Sequence, residues 1–146
     1  MKKILFGVLG ILIAIQFIRP NFNNPKVDEK IALQADENVM VVLKNAYFDC
    51  HSNEVQYPWY HNVAPVSWVM AAHIDSGRRA INFSTWADTN ADQRIMRLKR
   101  AKQLIFNGLM PKGSYALMHP KAHLDTKDKK TLEQFFDQQL EQLKKS

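Results

Sequence analysis

Apolar residues recur at helical spacing in three separate stretches of this 146-residue chain, and no stretch alternates apolar and polar residues over the length of a strand. Spacings of i, i+3, i+4 and i+7 place side chains on one face of an α-helix, so the chain is predicted to fold as a mostly α domain. The three apolar stripes are Val39, Val42, Leu43, Ala46 and Tyr47; Ala91, Ile95, Leu98, Ala101 and Ile105; and Leu132, Phe135, Phe136, Leu140 and Leu143.

Capping residues and helix breakers predict where these helices begin and end. Asp36 is the expected N-cap of the first helix, Gly108 the expected stop of the second, and Asp125 or Thr126 the expected cap of the last. A shorter helix is predicted over residues 67–76. Long irregular segments with prolines are predicted over 52–65 and 109–124.

The N-terminus has the pattern of an export segment. Lys2 and Lys3 precede an apolar run over residues 4–18, and Arg19 and Pro20 close it. Fifteen residues of helix reach about 22 Å, which is short of a hydrocarbon core of about 30 Å. No small-x-small cleavage site follows the run, so an uncleaved signal anchor, a cleaved signal peptide and a buried core helix remain as alternatives.

The predicted domain organisation follows from this segment. Residues 1–19 form the signal anchor or signal peptide, residues 20–35 a tether, and residues 36–146 the folded domain. The expected location is the cell envelope, with the domain facing the periplasm from an inner-membrane anchor or secreted there.

Charge and cysteine content exclude several classes of protein. The 20 Lys and Arg residues outnumber 14 Asp and Glu, which gives a net charge of +6. Basic side chains concentrate in the predicted helix over residues 88–107. Export excludes nucleic acid as a partner, so this helix is interpreted as a solvated face or a docking surface for an acidic redox protein or anionic lipid. A single cysteine, Cys50, excludes internal disulfides and four-cysteine zinc modules.

Cys50 and His51 form the last part of a C-x-x-C-H motif, in which thiols add to haem vinyl groups and the imidazole binds the iron. Tyr47 stands where the first cysteine of that motif would be. The competing interpretation is an ordinary buried Cys beside a surface His. A methionine thioether facing the imidazole would complete the iron site. Met110, which lies after His51 in a predicted irregular segment, is the candidate for this second ligand. His73 is the alternative distal ligand.

Other residues are candidates for secondary roles at such a site. Arg78 could pair with haem propionates, and Trp59 belongs to an aromatic group that could wall a flat cofactor. His119 and His123 have zinc-ligand spacing, although Pro120 lies between them. No oriented base accompanies Cys50, which argues against a catalytic thiolate.

The chain resembles the bacterial haem-binding domain family over residues 35–143. The residues that carry the resemblance are Cys50-His51-Ser52-Asn53, Tyr57-Pro58-Trp59-Tyr60, Pro65, Trp68, His73, Gly77-Arg78, Asn82-Phe83-Ser84, Trp86, Met110-Pro111, Tyr115 and His119-Pro120. Members are small, exported, cytochrome c-like domains that usually carry C-x-x-C-H-S. The resemblance implies one haem, held through a single thioether at Cys50 or without a covalent bond.

The predicted function is therefore that of a cytochrome c-like envelope protein that transfers one electron at a time with His51 and Met110 as iron ligands, and this is favoured over an enzymatic role. Two alternatives remain. One is a haem-free interaction module that keeps the fold, and the other is a haem sensor or peroxidase-like protein with an open distal position.

Overall fold

The computed structural model describes residues 1–145, and within them no strand is present. Short 3₁₀ turns cover Ile15–Phe17, Trp59–Asn62, Phe83–Asp88 and Pro120–Ala122. The α-helices of the described chain are α1 (Lys2–Ala14), α2 (Glu37–Ala46), α3 (Phe48–His51), α4 (Val66–Ala80), α5 (Ala91–Phe106), α6 (Gly113–Met118) and α7 (Thr126–Lys145). The mostly α prediction is confirmed.

The core lies where α7 packs against α5 and α2. All three predicted apolar stripes contribute buried residues to this one core. Leu132 and Phe136 of α7, Leu43 of α2 and Leu98 of α5 are each at most 1% exposed. Burying side chains of this size contributes roughly 1.5–3 kcal/mol each, so these four anchor the helix packing.

The ends of the long helices follow local hydrogen bonding. The Asn90 side chain accepts from the Gln93 N–H at 2.9 Å and caps α5, and Gly108 ends that helix with φ of +68°. Asp125 accepts from the Asp128 N–H at 2.7 Å while Asp128 accepts from the Asp125 N–H at 3.2 Å. This reciprocal pair stabilises the start of α7, as the sequence predicts.

Three helices differ from the prediction. Helix α6 lies inside the segment over residues 109–124, which is predicted to be irregular. The first predicted helix, expected to reach about Asp49, is divided into α2 and α3 because the backbone at Tyr47 is not helical, with φ of −134°. Helix α4 continues to Ala80, four residues beyond the predicted end at position 76. Gly77, a poor helix former, is kept inside α4 because α3 packs directly against it and leaves no room for a side chain.

Polar residues before and after α4 form hydrogen bonds that hold the segment following His51 in place. The Ser52 hydroxyl donates to the Phe48 carbonyl at 2.8 Å, and the Asn53 N–H donates to the Ser84 hydroxyl at 2.9 Å. The Asn82 amide donates to the Asn53 side chain at 3.0 Å. Ser52, Asn53 and Ser84 are buried, so these bonds fix the geometry of the segment after α3.

Helix α1 carries no buried residue, and every one of its apolar side chains is exposed. Over residues 1–145, none of the helices combines the length and the apolar character needed to cross a membrane. The segment after α1 contacts the domain, because the Gln16 amide donates to the Ala64 carbonyl at 3.1 Å and accepts from its N–H at 3.0 Å. The Trp68 indole donates to the Ile18 carbonyl at 2.7 Å.

Residues 20–35, predicted as a tether, run along the surface of the domain. Leu33 is 5% exposed, joins the core, and donates its N–H to the Phe83 carbonyl at 2.7 Å. Asn24 exchanges side-chain hydrogen bonds with the backbone of Val55 at 2.9 and 3.2 Å. Leu33 and Asn24 therefore attach this segment to the domain, although its composition alone predicts a tether.

Candidate functional site

A cavity of about 470 Å³ lies between α3, α4 and the segment over residues 110–119. Its lining is mostly apolar, which is typical of small-molecule and cofactor sites. The candidate ligands Cys50, His51, His73 and Met110 all line it. The fold therefore brings these four predicted site residues together, although 60 positions separate Cys50 from Met110 in the chain.

The His51 imidazole is hydrogen-bonded to two backbone carbonyls at the C-terminal end of α4. Its Nδ1 lies 3.0 Å from the Gly77 carbonyl oxygen and 3.1 Å from the Ile81 carbonyl oxygen. Carbonyls only accept, so Nδ1 carries the proton and donates, which leaves Nε2 free as a metal ligand. Burial lowers the pKa of His51, although the two carbonyl bonds raise it, so the ring is neutral near pH 7.

The surroundings of the Cys50 thiol raise its pKa. Burial, with a smaller contribution from the neighbouring Asp49 carboxylate, raises the pKa of Cys50 to about 11, while Lys112 and Arg78 lower it. The folded protein therefore keeps this group as a thiol at neutral pH. Because the thiolate is the nucleophilic form, this agrees with the expectation that Cys50 is not a catalytic nucleophile.

Tyr47 occupies the position of the missing cysteine and is 6% exposed. Its ring lies beside the His51 ring, with centroids 6.5 Å apart, and it lines the cavity. The Tyr47 hydroxyl is buried and has no hydrogen-bond partner within the described residues. Leaving a buried hydroxyl without a partner costs roughly 1–3 kcal/mol.

Met110 and His73 reach the cavity from opposite halves of the sequence. Met110 is partly buried and packs against the core. His73, on α4, has a pKa lowered by burial and by the nearby Lys112 charge. Both distal-ligand candidates therefore line the same cavity as His51.

His119 also lines the cavity, a role that spacing alone does not indicate. Its Nδ1 donates to the Tyr115 carbonyl at 3.0 Å, and its ring stacks on the Tyr115 ring with centroids 4.1 Å apart. His123 is exposed and does not line the cavity. In residues 1–145, no group of three or more His, Cys, Asp or Glu side chains could hold a metal ion, so zinc binding by this pair gains no support.

Arg78 does not line the cavity. Its Nε donates to the Ser52 carbonyl at 2.8 Å, and its terminal nitrogens donate to the Asn23 carbonyl and the Asn24 side chain at 3.1 Å. These bonds hold residues 23 and 24 against the segment that follows His51. The predicted propionate contact of Arg78 therefore has no geometric support, because its guanidinium is engaged by the protein itself.

Trp59 is also outside the cavity lining and is 85% exposed. Its predicted role as a wall for the cofactor has no contact to support it. The aromatic residues that do line the cavity are Tyr47, Tyr60 and Tyr115, together with the imidazoles. Within the described chain, Lys112 is the one Lys or Arg side chain in the lining.

Comparison with known proteins identifies a family for this chain. A family model described as "Haem-binding domain" matches residues 10–138, which is most of the chain and includes every residue that lines the cavity. No curated protein matches the chain, and no solved structure matches it.

Proposed function

Because the chain belongs to the haem-binding domain family and its cofactor is haem, we propose that it carries single electrons with His51 and Met110 as iron ligands. The observation that supports this most is the orientation of His51. Its Nδ1 is bonded to the carbonyls of Gly77 in α4 and of Ile81 just after it, so Nε2 is free in a residue that lines the cavity. A ring nitrogen fixed in this way is usual for a metal-ligating histidine.

The residues around the cavity fit haem in three respects. The lining is mostly apolar, and its volume is in the range of cofactor sites. A neutral imidazole and a thioether, from His51 and Met110, are both good ligands for haem iron. The Cys50 side chain, whose thiol can form a thioether to haem, lies in the same lining.

Haem supplies reversible one-electron chemistry at its iron. The chain's own residues set the conditions for it. The Gly77 and Ile81 carbonyls fix the His51 tautomer and hold its ring against rotation. A thioether ligand such as Met110 favours the reduced iron and raises the potential. The apolar lining keeps water away, which favours electron transfer over ligand exchange.

Cys50 is proposed as the single point of covalent attachment. It lines the cavity beside His51, and Tyr47 has no thiol to form a second thioether. The attachment has a simple test, because haem bound through a thioether stays on the chain after denaturing electrophoresis. Wild-type protein should stain for haem, whereas Cys50→Ser should keep its colour in solution and lose the stain.

The proposed function is tested on protein exported with the haem maturation machinery present. The purified protein should be coloured and low-spin, should show the absorption signature of methionine-ligated ferric haem, and should titrate as a one-electron couple. A coloured protein without that signature, whose ferrous form binds carbon monoxide directly, would contradict His/Met ligation and favour a sensor or peroxidase-like role. A folded but colourless protein would contradict haem binding itself.

The location of the protein is proposed to be the cell envelope, with α1 associated with the membrane and the domain on the periplasmic side. The support is that α1 is apolar on all sides and entirely exposed, and that two lysines precede its apolar run. In fractionated cells, the full chain should sediment with membranes and be digested by protease only after the outer barrier is opened. Recovery in the cytoplasmic fraction would refute this location.

A further inference from the structure

A single hydrogen bond joins the helix that carries His51 to the segment that carries Met110. The Tyr115 hydroxyl on α6 donates to the Oδ2 atom of Asp49 on α3 at 2.7 Å. Asp49 lies two residues before His51, and Tyr115 lies five residues after Met110. Both partners line the cavity, so the bond closes one side of it.

Each partner of this bond is itself held in place. The Oδ1 atom of Asp49 accepts from the Gln56 N–H at 2.9 Å, which orients the carboxylate. The Tyr115 ring stacks on His119 at an interplanar angle of 14°, and His119 donates back to the Tyr115 carbonyl. Two rings and one carboxylate therefore form a rigid array, in which a charged acceptor strengthens the bond.

Few other polar contacts hold the segment over residues 109–119 to the rest of the protein. The N–H groups of Leu109 and Met110 donate to the Leu104 carbonyl at 2.8 and 3.2 Å, which ties the start of the segment to α5. In the described chain, the bond to Asp49 is the only side-chain hydrogen bond from this segment to α3. Loss of this bond would therefore remove the polar connection between the Met110 segment and the helix of His51.

We propose that the Asp49–Tyr115 hydrogen bond is a latch that holds the Met110 segment over the cavity, which makes Tyr115 a positioning residue for the Met110 ligand. The proposal rests on the proposed function, since it presumes that Met110 binds the iron. Tyr115 contacts neither iron nor haem in this role. It acts by keeping the thioether within reach of the metal, so that fewer molecules at any moment have an open distal position.

The test compares Tyr115→Phe with Tyr57→Phe in the haem-loaded full chain. Phenylalanine keeps the ring that stacks on His119 and removes only the hydroxyl. Tyr57 is the matched control, because its hydroxyl donates to the Asn23 carbonyl at 2.9 Å and it does not line the cavity. Tyr115→Phe should raise the fraction of methionine-dissociated haem about tenfold, the size expected from one charge-assisted hydrogen bond, whereas Tyr57→Phe should leave it unchanged.

Two readouts report that fraction: the methionine–iron absorption band of the ferric protein and the rate of carbon monoxide binding to the ferrous protein. Met110→Ala defines the fully dissociated limit. Asp49→Ala should reproduce the effect of Tyr115→Phe, since alanine has no side-chain atom that can accept the phenol proton, and the double variant should add nothing further. Asp49→Ala also decides the question if Tyr115→Phe does not fold.

Wild-type values in both Tyr115→Phe and Asp49→Ala would overturn the latch while leaving His/Met ligation intact. If wild type and Met110→Ala instead have the same ferric spectrum and the same carbon monoxide binding rate, then Met110 is not the ligand. That result would overturn the His/Met ligation and the latch together, and the two failures are therefore distinguishable.

Discussion

The His51→Ala variant should purify without haem, while the wild-type protein from the same expression retains it. His51 is the cavity residue whose ring is oriented by two backbone carbonyls and whose Nε2 is left for a metal. Removing a partner that merely orients a metal ligand weakens binding about 10–100-fold, and removing the ligand itself should cost more than that. The measurement is haem content per polypeptide by the pyridine haemochrome assay.

The control for this variant is His123→Ala, which removes an exposed imidazole that does not line the cavity. It should bind haem as wild type does. A structural role for His51 is separated from ligation by adding imidazole, which can enter the space left by alanine and bind the iron in its place. Recovery of the low-spin spectrum with imidazole would support ligation, whereas wild-type haem content in His51→Ala without imidazole would exclude it.

Most of the helices could be predicted because the patterns that specify them involve residues close together in the sequence. The stripes of α2, α5 and α7 and the cap at Asp125 are patterns of neighbouring residues, and the structure buries and bonds them as expected. The break at Tyr47 could not be predicted, since Tyr47 continues the apolar period of α2 and its departure from helical geometry depends on tertiary packing.

Some residues of the candidate site could likewise be predicted from the sequence, and others could not. Cys50, His51 and Met110 can be found in the sequence because their chemistry and order in the chain are typical of a haem site, and all three line the cavity. The roles given to Arg78 and Trp59 rest on residue type, and type does not determine where a side chain points. Arg78 donates to backbone carbonyls, and Trp59 faces solvent.

The contacts of Tyr115 show the limit of reading motifs along the chain. Its hydroxyl meets Asp49 across 66 positions of sequence, and its ring meets His119 one helical turn away. The sequence marks Tyr115 and His119 as part of a resemblance. Only the folded chain, through the Asp49 hydrogen bond and the stacking of the two rings, gives each of them a physical role at the site.

The Gly77→Ala variant should lower the free energy of unfolding by about 2 kcal/mol or more, because of forced overpacking. A Cβ at Gly77 would overlap the carbonyl oxygen of Cys50 and lie 3.0 Å from its carbonyl carbon. These are backbone atoms, so relief requires α3 and α4 to separate. Alanine is otherwise favoured over glycine within a helix by up to about 1 kcal/mol, and this gain is too small to offset the clash.

Separation of α3 from α4 would also disturb the haem site, since the Gly77 carbonyl is one of the two acceptors for His51 Nδ1. Gly77→Ala should therefore lose both stability, measured by urea unfolding followed by circular dichroism, and haem content. Gly113→Ala is the matched control, because no atom lies within 4 Å of the position that its new Cβ would take. The free energy of unfolding of this control should change by less than about 0.5 kcal/mol. Equal stability of the two variants would mean that α3 and α4 are not held as closely as the Gly77 contact requires.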